Sequence, residues 1–205
     1  MALSGRIVVL ASGSGSNLQA LLDAVADGRL RGEVVAVFVN RRSAHARTRA
    51  VDAGIPEFFA PMQGFVDAAD GERLGREAYD AALAAQVSAF APDVIVMAGW
   101  MHLFTNVFLD QFAGRIVNLH PALPGTFPGA HAIDAAWSAY QAGTIDRTGA
   151  MVHLVPDEGV DDGPVLLSRE VLISSDDTRE SMEAHVHAIE HELLVAAVAN
   201  LLDTL

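Results

Sequence analysis

The chain has 205 residues, 26 acidic against 13 basic, for a formal net charge of −13, and it has no cysteine. That balance excludes the basic footprint a nucleic-acid backbone requires, and the missing thiols exclude disulfides and thiolate zinc sites. No apolar run approaches the roughly 18 residues of a membrane span, and the first stops at Ala11, too short for a signal segment, so a cytoplasmic chain without membrane or nucleic-acid partners is expected. A small anionic ligand stays compatible with the acidic charge, because backbone amides and one or two local cations can hold it.

Arg6-Ile7-Val8-Val9-Leu10-Ala11 is an apolar, β-branched run that predicts a first strand. Ser12-Gly13-Ser14-Gly15-Ser16-Asn17 follows, and Leu18, Leu21, Leu22 and Val25 then recur at helical spacing up to Gly28. Residues 34–40 read as a second strand, an Ala/Arg-rich helix runs to Gly54, and 57–60 form a short third strand. Residues 74–90 have the pattern of an amphipathic helix. Residues 93–99 read as a buried central strand and 116–120 as another, stopped by Pro121; 151–155 and 165–173 look like closing strands. Asp177, with Glu180 three residues on, predicts an N-cap opening a long final helix. This alternation implies an α/β fold: one domain with a doubly wound, mostly parallel sheet, helices on both faces, and ligands at the carboxyl ends of its strands.

Three places carry candidate chemistry. The glycine loop at 12–17 leads into a helix amino terminus, where free N–H groups and the helix dipole suit a phosphate. The plainer reading is a strand-to-helix turn with Ser16 or Asn17 as N-cap. A dinucleotide fingerprint would need glycine where Leu18 stands and an acid where Asn40 stands, and a P-loop would need Gly-Lys-Ser/Thr. Asn118 and His120, two apart in a strand, point to the same side, and Pro121 leaves His120 at the strand's carboxyl end. An amide beside an imidazole can polarise a carbonyl, stabilise an oxyanion and manage one proton; a histidine satisfied by backbone is the alternative. The loop Asp157-Glu158-Gly159-Val160-Asp161-Asp162-Gly163-Pro164 can be a surface turn, or can send one acid to His120, and spacing does not choose which. His187-Ala188-Ile189-Glu190-His191 spells an inverted zinc motif, but few residues remain downstream for a further ligand. No metal is expected, and Glu190 is read as a lone polar contact.

In this order along nearly the whole chain, the pieces resemble the glycinamide ribonucleotide formyltransferase family. The matching stretches are IVVLASGSGSNLQALL from Ile7, Arg76-Glu77-Ala78-Tyr79-Asp80, APDVIVMAG from Ala91, GRIVNLHP from Gly114, Phe127-Pro128-Gly129 and residues 152–164. The resemblance implies a Rossmann-like formyltransferase domain over 1–205, with a nucleotide-binding half to about residue 100 and a folate-binding and catalytic half beyond. It implies transfer of a formyl group from 10-formyltetrahydrofolate to the amine of glycinamide ribonucleotide in purine synthesis, through a tetrahedral intermediate and without a metal, and it leaves a homodimer open. By position, Gly15, Ser16 and Asn17 would bind the ribonucleotide phosphate, and Glu190 its ribose or glycinamide part. Arg76, Met101, His102, Leu103 and Phe104, with Asn118, would line the folate pocket. Asn118 and His120 would hold the formyl oxygen, with His120 as general acid, and Asp161 would keep His120 protonated and relay a proton.

The chain departs from the family pattern in places. His102 stands where the family commonly has arginine, Ala122-Leu123-Pro124-Gly125-Thr126 replaces the usual Ser-Leu-Leu-Pro segment, and the acidic loop is one residue longer. Asp161 rather than Asp162 is taken as the catalytic acid, because Asp161-Asp162-Gly163-Pro164 aligns with the family's Asp-Gly-Gly-Pro. Rival readings are a formyltetrahydrofolate hydrolase, which would carry a regulatory domain ahead of strand one; a methionyl-tRNA formyltransferase, which would carry a basic nucleic-acid-binding domain; and a non-catalytic nucleotide-binding module.

Overall fold

The computed structural model describes residues 5–63, 65 and 72–204; residues 1–4, read above for a targeting segment, lie outside it. Strand and helix alternate as expected: β1 (Gly5–Ala11), α1 (Ser16–Ala26), β2 (Gly32–Val39), α2 (Ala46–Asp52), β3 (Glu57–Phe59), α3 (Glu72–Ser88) and β4 (Val94–Met97). A short α4 (Asn106–Leu109), continued by a 3-10 turn, leads to β5 (Ile116–His120), α5 (Ala132–Gln141), β6 (Arg147–Leu154), β7 (Val165–Leu172) and the long α6 (Arg179–Leu202).

The strands form one seven-stranded sheet in the order β3-β2-β1-β4-β5-β6-β7. β1 through β5 pair in parallel, while β6 runs antiparallel to β5, and β7 antiparallel to β6. The chain leaves β1 for β2 on one side and later returns to β4 on the other, so the switch point lies between the carboxyl ends of β1 and β4.

The period-two pattern of β1 explains the two core layers. Ile7 and Val9 face one side, packed with Leu18 and Leu21 of α1 and Val186 and Leu194 of α6. Val8 and Leu10 face the other, with Tyr79 and Leu83 of α3, Phe38, and Phe108 of α4. All of these side chains are buried, each worth about 1.5–3 kcal/mol for the larger aliphatics. Apolar character on both faces of a strand is what a sheet covered by helices on both sides demands.

Two predicted caps are corrected. Gly15, with φ 71, rather than Ser16 or Asn17 caps α1. At α6 the N-cap is Thr178, its side chain accepting from the Ser181 N–H while the Ser181 hydroxyl takes the Thr178 N–H. Asp177 sits one residue earlier, accepting from the Ser174 N–H and the Ser181 hydroxyl. A carboxylate and a hydroxyl compete for the same helix end, and the hydroxyl pair, three residues apart, closes the reciprocal box. No helix of the described residues is long and apolar enough to cross a membrane.

Candidate active site

The glycine turn is shaped by what it must approach. A Cβ on Gly15 would lie 2.7 Å from the Ala46 Cα and 2.8 Å from its Cβ, so α2 packs directly on the turn. The positive φ and the close approach both call for glycine. Gly15 supplies no side-chain cap to α1, the Ser16 N–H reaches the Ser14 Oγ only at 3.5 Å, and Gly15, Ser16 and Asn17 line the cavity, an arrangement suited to an anion. The buried Oδ1 of Asn17 has no hydrogen-bond partner among the described residues. Gly15→Ala is expected to cost about 1–3 kcal/mol of stability through strain and clash, read from the denaturant midpoint, and to weaken phosphate-bearing ligands at this turn.

Asn118 and His120 share one face of β5, and the antiparallel register sets His153 of β6 directly opposite Asn118. Opposed residues of a pair project to the same face, so three polar side chains gather there. The loop after β6 folds back over that face and brings in Asp161. Its Oδ1 accepts from Asn118 Nδ2 at 2.9 Å and lies 3.5 Å from His153 Nε2. Its Oδ2 accepts from the Gly129 N–H at 2.8 Å and lies 3.2 Å from His120 Nδ1. Asp162 is exposed, so the structure brings Asp161 and not Asp162 to the imidazole. His153, which sequence reasoning missed, faces Asn118 Nδ2 with Nε2 at 3.2 Å and the Leu154 carbonyl with Nδ1 at 2.8 Å. Only the strand register, which local patterns do not contain, signals it.

His120 Nε2 lies 3.0 Å from the Phe127 carbonyl oxygen. Each ring nitrogen therefore meets an oxygen acceptor, and the imidazolium is the one form whose two N–H groups both find partners. Burial opposes that charge more strongly than the Asp161 carboxylate and Phe127 carbonyl support it, and pulls the ring below its ordinary range. An imidazole so placed gives up a proton readily. Asp161 is held below the usual carboxylate range: burial raises it, but the His153 and His120 rings and the Gly129 N–H outweigh burial. Phe127 and Asp161, both facing His120, have φ of 45 and 54 without being glycine. Backbone in this region stores roughly 1–3 kcal/mol per residue and persists where its surroundings over-determine it.

One cavity of about 380 Å³ joins these groups to the glycine turn, to Met101, His102, Leu103 and Phe104, and to His187 and Glu190 of α6. Arg41, just past β2, also lines it and supplies a cation that sequence reasoning missed. Glu190 is buried and faces His187 Nδ1 at 2.6 Å; the carboxylate pushes the His187 imidazole above its ordinary value. Arg76 is placed differently from expectation. It is not among the residues that line the cavity, and it donates through Nη2 to the carbonyl of Leu103, which does. His102 packs edge-on against Trp100 and Tyr79, and burial lowers its imidazole. His191, the third member of the zinc-like motif, lines a separate cavity beside α1. Among the described residues, no group of three or more His, Asp or Glu is arranged to hold a metal ion.

Fold and site together define the class: a doubly wound α/β protein whose amide, imidazole and carboxylate converge on a central strand beside an anion-suited turn. Within that class the chain belongs to the formyl transferase family, whose sequence profile matches residues 5–198. It is 45% identical to the phosphoribosylglycinamide formyltransferase of Schizosaccharomyces pombe over 94% of each chain. It is 38% identical to that of Escherichia coli, over 91% of this chain and 82% of the relative. The crystal structure of glycinamide ribonucleotide transformylase 1 from Symbiobacterium toebii superposes with a TM-score of 0.85 at 35% identity, covering 97% of this chain and 88% of the other.

Proposed function

We propose that the protein transfers the formyl group of 10-formyltetrahydrofolate to the amine of N1-(5-phosphoribosyl)glycinamide, a cytoplasmic step of purine (IMP) synthesis. One observation carries the reading. A single carboxylate, Asp161, contacts both the Asn118 amide at 2.9 Å and the His120 ring at 3.2 Å, in the cavity that also contains the glycine turn.

The nucleotide half of the chain, to about residue 100, contributes the turn Gly15-Ser16-Asn17 for the phosphate, with Arg41 as a nearby cation; Glu190 reaches the ribose or glycinamide end. In the folate half, Met101 and Leu103 are 50% and 47% exposed. Apolar side chains left open at a cavity mouth suit a flat, largely apolar ring system. The Asn118 amide and the His120 Nε2–H, which in the free site face the Asp161 carboxylate and the Phe127 carbonyl, turn to the formyl oxygen and strengthen their hold as charge develops on it. Attack of the neutral amine on the formyl carbon gives a tetrahedral intermediate. His120 gives a proton to the oxygen, and Asp161, which supports the imidazolium, takes up through water the proton lost by the amine. Collapse then breaks the bond from the formyl carbon to N10 of the folate. N10 receives that proton as tetrahydrofolate leaves, and the oxygen returns its proton to His120. No covalent adduct with the chain is needed.

The test incubates the purified protein with 10-formyltetrahydrofolate, with and without glycinamide ribonucleotide. Loss of the formyl group only when the ribonucleotide is present, with formylated ribonucleotide as product, is the expected result. Release of formate without the amine would establish a hydrolase instead, and no turnover would leave a binding module.

A further inference from the structure

The segment from Met101 to Thr105 crosses the cavity with neither helical nor sheet hydrogen bonding, yet it presents the apolar side chains assigned above to the folate. Its shape depends on side chains reaching it from elsewhere. At the front, the Met101 N–H donates to the Oγ of buried Ser12 at 3.0 Å. In the middle, Arg76 holds the Leu103 carbonyl. At the rear, Asp80 Oδ2 accepts from both the Thr105 N–H at 2.6 Å and the Thr105 hydroxyl at 2.8 Å. Arg76 and Asp80 are four apart on α3, hence on one helical face.

We infer that Asp80 is a positioning residue for the folate side of the cavity, acting through Thr105 and touching no substrate. Asp80 is fully buried and absent from the cavity lining. Around it, α3 presents Tyr79, Leu83, Ala84 and Val87 to an aromatic core layer, where an apolar side chain would pack at lower cost than a carboxylate. Its second oxygen, Oδ1, is buried with no hydrogen-bond partner among the described residues. Burial pushes the carboxyl above its usual range, against the two Thr105 hydrogen bonds and the Arg76 charge. Its two hydrogen bonds to Thr105 fix a geometry that a methyl group there could not.

What Asp80 fixes is visible at Thr105, the N-cap of α4. Threonine at this position ordinarily turns its hydroxyl to its own helix, but here no side chain makes the N-cap bond. The hydroxyl goes to Asp80, and the Asn106 N–H takes Glu158 Oε1 of the acidic loop at 3.2 Å. The rear of the segment is thereby tied to α3 and set beside the loop that carries Asp161.

This inference rests on the folate reading, so transfer by the wild-type enzyme is established first; its absence would overturn both, whereas wild-type transfer with the variant results below failing would overturn the positioning role alone. Thr105→Val removes the hydroxyl at nearly constant volume, Thr105→Ser retains it, and Asp80→Asn removes the charge. Loss of a hydrogen bond to a buried charge is expected to raise KM for 10-formyltetrahydrofolate about 10-fold in T105V and D80N. KM for the ribonucleotide and kcat should stay within about two-fold of wild type, and T105S should keep the wild-type folate KM, as expected when only uniform binding is lost. A parallel rise of both KM values, a fall in kcat at constant folate KM, or T105S behaving like T105V overturns the inference. If D80N fails to fold, the T105V and T105S pair decides alone.

Discussion

Replacing His120 by alanine is expected to lower kcat by on the order of 10²–10³ while leaving both KM values close to wild type. The ring is 3% exposed, lies 3.2 Å from Asp161 and 3.0 Å from the Phe127 carbonyl, and is the group best placed to give a proton to the formyl oxygen as it becomes tetrahedral. Its contribution belongs to the transition state, because the ground-state carbonyl carries little of the charge that an N–H would meet. Uniform loss of binding would appear in KM, so steady-state kinetics with each substrate varied in turn separates the two. Turnover of His120→Ala within a few-fold of wild type, at unchanged fold by circular dichroism, would remove this residue from the chemistry.

The second large effect is expected from Asp161→Asn, which keeps the shape of the side chain and removes its charge. The drop in kcat should again be on the order of 10²–10³, because the protonated imidazole loses the counter-charge that keeps it available as the acid, and the amine loses its proton acceptor. The pH profile gives the sign. Burial already pulls His120 below its ordinary range, and the Asp161 charge is the main influence holding it up. Without that charge the imidazole falls further, so the loss of kcat with rising pH should begin at lower pH in the variant than in wild type. An alkaline limb that stays in place would show that Asp161 does not support the protonated ring. Asp162→Asn is the control: Asp162 is exposed, and its removal should change kcat by no more than about two-fold, as for most exposed positions.

These expectations concern residues that were legible to different degrees. Asn118 and His120 could be read directly, because two positions apart in a strand ended by proline places both on one side at its carboxyl end. In β1 the apolar run was legible as a strand, but the division of Ile7 and Val9 from Val8 and Leu10 between two core layers required the helices to be in place. Asp161 could be chosen over Asp162 only by its likeness to a family pattern; the contact with Asn118 and His120 depends on a loop returning across the sheet. His153 was missed altogether. As an isolated residue it is one histidine in an apolar strand, and only the antiparallel pairing with β5 turns it toward Asn118.

By itself the sequence determined the order of the strands and of α1, α2, α3 and α6, though not α4 or α5, and with them the glycine turn after the first strand, the Asn-x-His pair and the absence of thiol chemistry. Each of these follows from near neighbours: side-chain periodicity, the backbone freedom of glycine, the missing N–H of proline. Tertiary structure alone decided the reversed direction of β6 and β7, the meeting of Asp161 and His153 with the β5 pair, and the hold of Arg76 on the Leu103 carbonyl. It also decided that Gly15, pressed against Ala46, ends up capping α1. Those outcomes hinge on which surfaces compete for burial and which buried polar groups find partners, and such contacts join residues tens of positions apart that no local pattern relates.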